Sequence, residues 1–304
     1  MFVAKEISAP NRPRKRLQKL YCRSKSGGNN AAVRFVGFIV ALSALLICAS
    51  TVAGELHPIV HVERGYLFGA TAGGKWIKAE ETAKAIADQT AYRIYGLTES
   101  LGEAKGGKPK AVENDVCTDT LSVSLSPEPE KGVIALAAPW NALPRKPRIA
   151  DTTQQVYVDA VRDFLKTKGI QQPKVKIDNI LRIDLDGDSQ DEVLISATNY
   201  FSKDDRVPMR SPAGSYSMVL LRRVVAGKVE TQPVEGEFHP KAYVRKEDSF
   251  DAPNAYKVIA VLDLDGDGKM GIVVRSDYYE GGATTIYRCN PKKVEELLSV
   301  ACGV

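Results

Sequence analysis

The chain has 304 residues, 44% hydrophobic and 26% charged, a globular balance that excludes a collagen-like, low-complexity or wholly disordered protein. Its formal charge of +5 belongs to the beginning: residues 1–54 hold nine of the 42 basic residues (Lys5, Arg12, Arg14, Lys15, Arg16, Lys19, Arg23, Lys25, Arg34) against one of the 37 acids, Glu6. Residues 55–304 therefore carry a formal −3, and a nucleic-acid partner loses its electrostatic support.

Behind the basic stretch, residues 35–53 form an uncharged apolar run of 19 residues whose end, with Gly54, reads Ala-Ser-Thr-Val-Ala-Gly. A basic start, an apolar middle and small residues at the end predict a secretory signal cut after Ala53 or Gly54. The rival reading is an uncleaved anchor, since the run just spans hydrocarbon as a helix with its charges left in the cytoplasm. Both place residues 55–304 outside the cytoplasm: secreted, periplasmic or on the cell surface. Contact with a membrane is expected only through the N-terminal segment, if it stays uncleaved. Ile47 before Cys48 argues against a lipoprotein. Three regions are expected: a leader (1–54), an N-terminal β-rich region (55–150) and a duplicated region (151–304).

Export gives meaning to the cysteines. Cys22 and Cys48 lie in the leader, which leaves Cys117, Cys289 and Cys302 for an oxidising compartment. The favoured pairing is Cys289 with Cys302; Cys117 with either is the rival, and three buried thiols are the third alternative. His57, His61 and His239 are too scattered for zinc, and Pro58 keeps the first two off one helical face.

In the N-terminal region, Gly65–Ala70 and Lys75–Lys78 predict two short strands around an Ala72-Gly73-Gly74 turn, and Ala79–Ala87 a short helix. Gly102–Pro109 reads as a turn stretch, Thr120–Leu125 as a half-buried strand, Gly132–Ala138 as a buried strand and Trp140–Arg148 as a linker. The clearest helix follows, capped by Asp151 or Thr152, with an apolar face of Val156, Val158, Ala160, Val161, Phe164 and Leu165, closed at Gly169.

That helix leads into Asp184-Leu-Asp-Gly-Asp188, and the same five residues recur at Asp263-Leu-Asp-Gly-Asp267. Apolar β-type runs flank both. At an offset of 79, Val193, Leu194, Ile195 and Tyr200 fall on Ile272, Val273, Val274 and Tyr279. Each copy then continues into a strand pair, through Ala226-Gly227-Lys228 in one and Asn290-Pro291-Lys292 in the other. Phe201–Gly214 is an insertion in the first copy. The repeated unit is strand, acidic loop, strand, loop, hairpin. The expected fold is mainly β with a few helices, its duplicated four-strand units resembling propeller blades; the alternative is α+β with two antiparallel sheets.

Three carboxylates at alternate positions repel one another until a hard cation takes oxygens from all of them. An EF-hand is excluded, because strands flank the loop and its twelfth position is Ile195 in one copy and Val274 in the other. Over residues 177–200 and 256–280 the chain resembles the D-x-D-G-D-x-x-x-[DE] loop of the FG-GAP family, the calcium loops of integrin-type β-propellers. The resemblance implies Ca²⁺ held by side chains at positions 1, 3, 5 and 9 and a carbonyl at 7. In the first loop these are Asp184, Asp186, Asp188, the carbonyl of Gln190, and Glu192. In the second they are Asp263, Asp265, Asp267 and the carbonyl of Lys269, while position 9 is Gly271. Weaker binding is expected there unless water, Asp277 or Glu280 supplies the missing ligand.

No G-x-S-x-G elbow, P-loop, H-E-x-x-H or dinucleotide fingerprint occurs. The expected function is an exported calcium-binding β module with a binding or structural role toward an unidentified surface or protein partner, without catalysis. The alternative is an exported hydrolase whose active groups lie in 201–214 or the N-terminal region.

Overall fold

The computed structural model describes residues 54–113, 116–201, 207–244, 251–290 and 293–303; the leader and the expectations attached to it lie outside them. Among the described residues no helix is long and apolar enough to cross a membrane. The chain runs β1 (His57–His61), β2 (Leu67–Ala72), β3 (Lys75–Lys78), α1 (Ala79–Ala85), β4 (Thr90–Tyr95), β5 (Ser100–Gly106), β6 (Lys110–Ala111), β7 (Leu121–Ser122), β8 (Leu125–Ser126) and β9 (Ile134–Leu136). Next come β10 (Arg148–Ala150), α2 (Gln155–Thr167), β11 (Ile177–Ile183), β12 (Glu192–Thr198), β13 (Ser215–Val225) and β14 (Lys228–His239). The chain ends with β15 (Ala255–Leu262), β16 (Gly271–Tyr278), β17 (Gly281–Asn290) and β18 (Lys293–Gly303). The fold is mainly β, as the sequence predicts, in open antiparallel sheets of which none closes into a barrel.

The first sheet has seven strands in the order β3-β2-β1-β9-β4-β5-β8, with β6 and β7 paired separately. The second is β10-β11-β12-β13-β14 and the third β15-β16-β17-β18. Each copy of the repeat is thus an antiparallel meander of four successive strands with its acidic loop at the first turn.

Alternation of side chains explains how the sheets stack. In the third sheet Ala260, Leu262, Val273, Ile286 and Leu298 join a core with Ile59, Phe68, Ile134 and Leu136 of the first sheet. Their neighbours Val261, Ile272, Val274 and Tyr287 face the other way, onto Leu181, Ile183, Leu194, Val219 and Leu221 of the second sheet. The opposite face of the second sheet, with Ile180, Ile195, Ala197, Met218 and Leu220, receives Tyr157, Val161 and Leu165 of α2. The third sheet therefore packs on both faces, and Val258–Leu262 of β15 and Ile272–Val274 of β16 read as continuous apolar runs rather than alternating ones.

Several expectations are corrected. β1 and β4 carried no recognised pattern, and the supposed turn from Gly102 holds the end of β5; a Cβ at Gly106 would lie 2.4 Å from Tyr92 Cε2, so its glycine admits a ring and does not break the strand. The strand expected over Thr120–Leu125 is split into β7 and β8. Helix α2 starts later than its expected cap, because Asp151 Oδ1 accepts from Thr153 N–H and Oγ1, both at 2.8 Å, in a turn before the helix. Val156, assigned to its apolar face, is 56% exposed.

The disulfide joins Cys117 to Cys302, with a Cα–Cα distance of 5.2 Å, and Cys289 is free. The β17–β18 register explains why the favoured pairing fails. Cys289 lies opposite Val294 at one end of the ladder, while Cys302 lies opposite Gly282 at the other. Burial pushes the Cys289 thiol up to about 12, which makes it a poor nucleophile.

Candidate metal centre

Each acidic loop links the first two strands of its meander and folds around its first aspartate. Asp184 Oδ1 accepts from Gly187 N–H at 2.7 Å and its Oδ2 from Ser189 N–H at 3.1 Å. Asp263 does the same with Gly266 at 2.8 Å and Gly268 at 3.1 Å. Position 5 repeats as well: Asp188 takes Gln190 N–H at 2.7 Å, and Asp267 takes Lys269 N–H at 2.8 Å. Left-handed backbone at positions 4 and 6 makes these bonds reachable: Gly187 (φ 87) and Ser189 (φ 71) in one loop, Gly266 (φ 73) and Gly268 (φ 81) in the other.

The result is two triads, Asp184, Asp186, Asp188 and Asp263, Asp265, Asp267, each offering oxygens that lie within 4.8 Å of one another. Both triads are close enough to bind a metal ion. Their donors are all carboxylate oxygens, the set suited to a hard cation. Gln190 and Lys269, whose carbonyls were the expected ligands, are tied into these loops by the N–H groups they donate to Asp188 and Asp267.

Position 9 separates the copies. Glu192 is 8% exposed and outside its triad, with Oε2 accepting from Leu185 N–H at 2.8 Å. Burial holds its carboxyl above the usual range, reinforced by Asp186 and Asp188 and opposed by the Leu185 amide. At Gly271 no side chain replaces it. Asp277, one expected substitute, lies at the far end of β16, opposite Gly282, and its carboxylate is held by Arg275 Nε at 2.9 and 2.7 Å. Glu280 lies in the following turn, also away from the loop. Instead Arg288 of β17 brings positive charge to the second loop, its Nη2 paired with Asp265 Oδ2. Burial raises the Asp265 carboxyl, as does Asp267, against the Arg288 charge; Asp263 is raised chiefly by burial too.

The segment read as a linker connects the two loops. Arg145 donates from Nε to Asp184 O at 2.7 Å and from Nη2 to Gly268 O at 2.5 Å. Trp140 Nε1 donates to Asp263 O at 2.9 Å, and Asp263 N–H donates to Ala142 O at 2.8 Å. Met270 N–H also donates to Leu185 O at 2.8 Å, joining the loops directly.

The insertion of the first copy holds a different polar cluster. Ser211 Oγ lies 3.2 Å from His239 Nε2, which is 2.9 Å from Tyr200 Oη and 3.6 Å from Glu237 Oε2. A serine beside a histidine is the minimum of a nucleophilic site. Here the Ser211 hydroxyl donates to Asp251 Oδ1 at 2.9 Å, and the residue is 2% exposed, so it is engaged and shielded.

Fold and site define a mainly β protein with two three-aspartate loops of the same sequence pattern. Compared with known protein families, curated proteins and solved structures, the chain matches none.

Proposed function

We propose that the protein is an exported calcium-binding β module that serves a binding or structural role toward an unidentified surface or protein partner. One observation carries this reading: the two loops repeat the same oxygen constellation with nearly the same backbone bonds, 79 residues apart. A turn needs one or two aspartates, whereas six carboxylates held at mutual distances of 4.8 Å or less per triad call for a cation. The all-oxygen donor set favours Ca²⁺ over zinc or copper, and an extracytoplasmic location fits it. The FG-GAP-type motif points the same way. The shielded Ser211 hydroxyl supports a non-catalytic role over the hydrolase alternative.

The two sites are unequal in this reading. The first has Glu192 behind its triad, while the second lacks that acid and already holds the Arg288 guanidinium. Calorimetric Ca²⁺ titration is expected to resolve a tighter and a weaker site, the first lost in Asp186→Ala and the second in Asp265→Ala. Saturating Ca²⁺ at about 100 times Kd adds about 2.7 kcal/mol to stability per site. No heat of binding, with equal melting temperatures in millimolar Ca²⁺ and in chelator, would sink the proposal.

A further inference from the structure

Away from both triads, the second sheet carries a row of arginines that its own acids do not balance. Arg148 on β10 lies opposite Arg182 on β11, Arg182 opposite Val193 on β12, and Val193 opposite Arg222 on β13. Residues directly opposite one another in an antiparallel ladder share a face. All three guanidinium groups thus stand on the side that packs against α2, since Val193 belongs to that core.

One carboxylate serves the row. Asp191 Oδ2 pairs with Nη2 of Arg148 and, at 3.3 Å, with Nη2 of Arg182. Each guanidinium has five N–H donors, so most of the donors of both remain uncommitted by that single oxygen. Arg148 and Arg182 are open to solvent, with side chains 69% and 48% exposed. Arg222 differs. It is partly buried, its charge is disfavoured by burial, the group that faces it is the Tyr157 hydroxyl of α2, and among the described residues no carboxylate pairs with it. A desolvated cation without a counter-ion is costly, and natural folds pair such groups.

The spacing suits a ligand. Arg182 and Arg222 are two strand spacings apart, about 10 Å, with half-buried Val193 as the floor between them. Two arginine forks reaching in from opposite sides match the bidentate geometry of tetrahedral oxyanions, which lysines would not reproduce. We propose that this row binds an oxyanion of the phosphate or sulfate type, gripped by Arg182 and Arg222 above Val193, with Arg148 at the rim. Asp191 ties Arg148 to Arg182 through its single paired oxygen. The proposal does not require calcium, although Asp191 belongs to the first acidic loop, and the test is therefore run in chelator.

The test titrates the full chain calorimetrically, in chelator, with sodium phosphate and sodium sulfate against sodium chloride of equal ionic strength. A sulfated polysaccharide forms a parallel arm. Saturable binding of the free oxyanions, absent with chloride and weakened about tenfold or more in both Arg222→Gln and Arg182→Gln, is the expected result. Arg182→Gln alters an exposed side chain and reads the site even if Arg222→Gln folds poorly. Saturation by the polysaccharide alone, lost in the same variants, would support the site and assign its oxyanion to a group displayed on a larger molecule. No saturable binding in either arm, or binding unchanged in both variants, overturns the proposal.

Discussion

Arg288 determines how the second acidic loop carries its charge. Asp265, with a side chain only 6% exposed, has Arg288 as its counter-ion. Arg288→Ala leaves that carboxylate partly buried and unpaired, and in chelator the variant is expected to lose on the order of 2 kcal/mol. Ca²⁺ should then raise its melting temperature by more than that of the wild type, because the cation no longer competes with a guanidinium; an equal or smaller rise in thermal unfolding with and without Ca²⁺ would contradict this. The aspartates of this site were legible from their spacing alone. Arg288 was not, because it lies 23 residues from Asp265 and arrives only through the ladder that sets Tyr287 opposite Ile272. His61 offers a second prediction at this scale. It is 2% exposed, and burial lowers its pKa from 6.5 to about 4, with Glu63 and Asp277 opposing and Arg64 and Arg275 adding to the shift. Between these values the unfolded chain binds the proton and the folded one does not, so stability rises with pH across that window and is lost on acidification toward pH 4. The loss is on the order of 3 kcal/mol. The difference in denaturant midpoint between wild type and His61→Gln is expected to change over this window and to be flat above pH 7.

At the scale of elements, the segment from Trp140 to Arg145 acts as a strap across both acidic loops. Pro144 within it, Pro139 and Pro147 on either side, and the lack of periodicity make it read as a linker, since sequence pattern reports regular structure and says nothing of a loop bonded to another loop. The meanders themselves were legible, because two apolar runs around an acidic turn fix strand, loop and strand in each copy. The strands of the first sheet were less so: Gly102 and Gly106 inside β5 imitate a turn. Arg145 gives the strap its function. Removing it leaves the carbonyls of Asp184 and Gly268 without their guanidinium donor, and Arg145→Ala is expected to cost about 2 kcal/mol. Amide exchange in chelator should rise in residues 184–190 and in 263–269 together. Acceleration confined to the first loop would mean that Met270 N–H on Leu185 O, and not Arg145, joins the two.

For the whole molecule, the third sheet is the middle layer, since its two faces feed different cores. A chain so arranged has no natural place to come apart between the first sheet and the repeats: Thr51–Val304 forms one compact unit, and the core of Ile59, Phe68 and Leu136 is completed by Leu262 and Ile286. The disulfide reinforces the same junction. Cys117 follows β6, Cys302 lies in β18, 185 residues separate them, and Thr120 Oγ1 donates to Ala301 O at 2.9 Å beside the bridge. A cross-link over so long a loop removes much of the freedom of the unfolded chain, and loss of a native disulfide typically costs about 2–5 kcal/mol. Reduction, or Cys302→Ala, is therefore expected to lower the melting temperature of the whole protein in one transition. Cys289→Ala, which touches no bridge, should leave it within about 1 kcal/mol of the wild type. Two separate transitions after reduction, with the acidic loops still protected in the higher one, would show that the layers are held together by the bridge and not by their shared core.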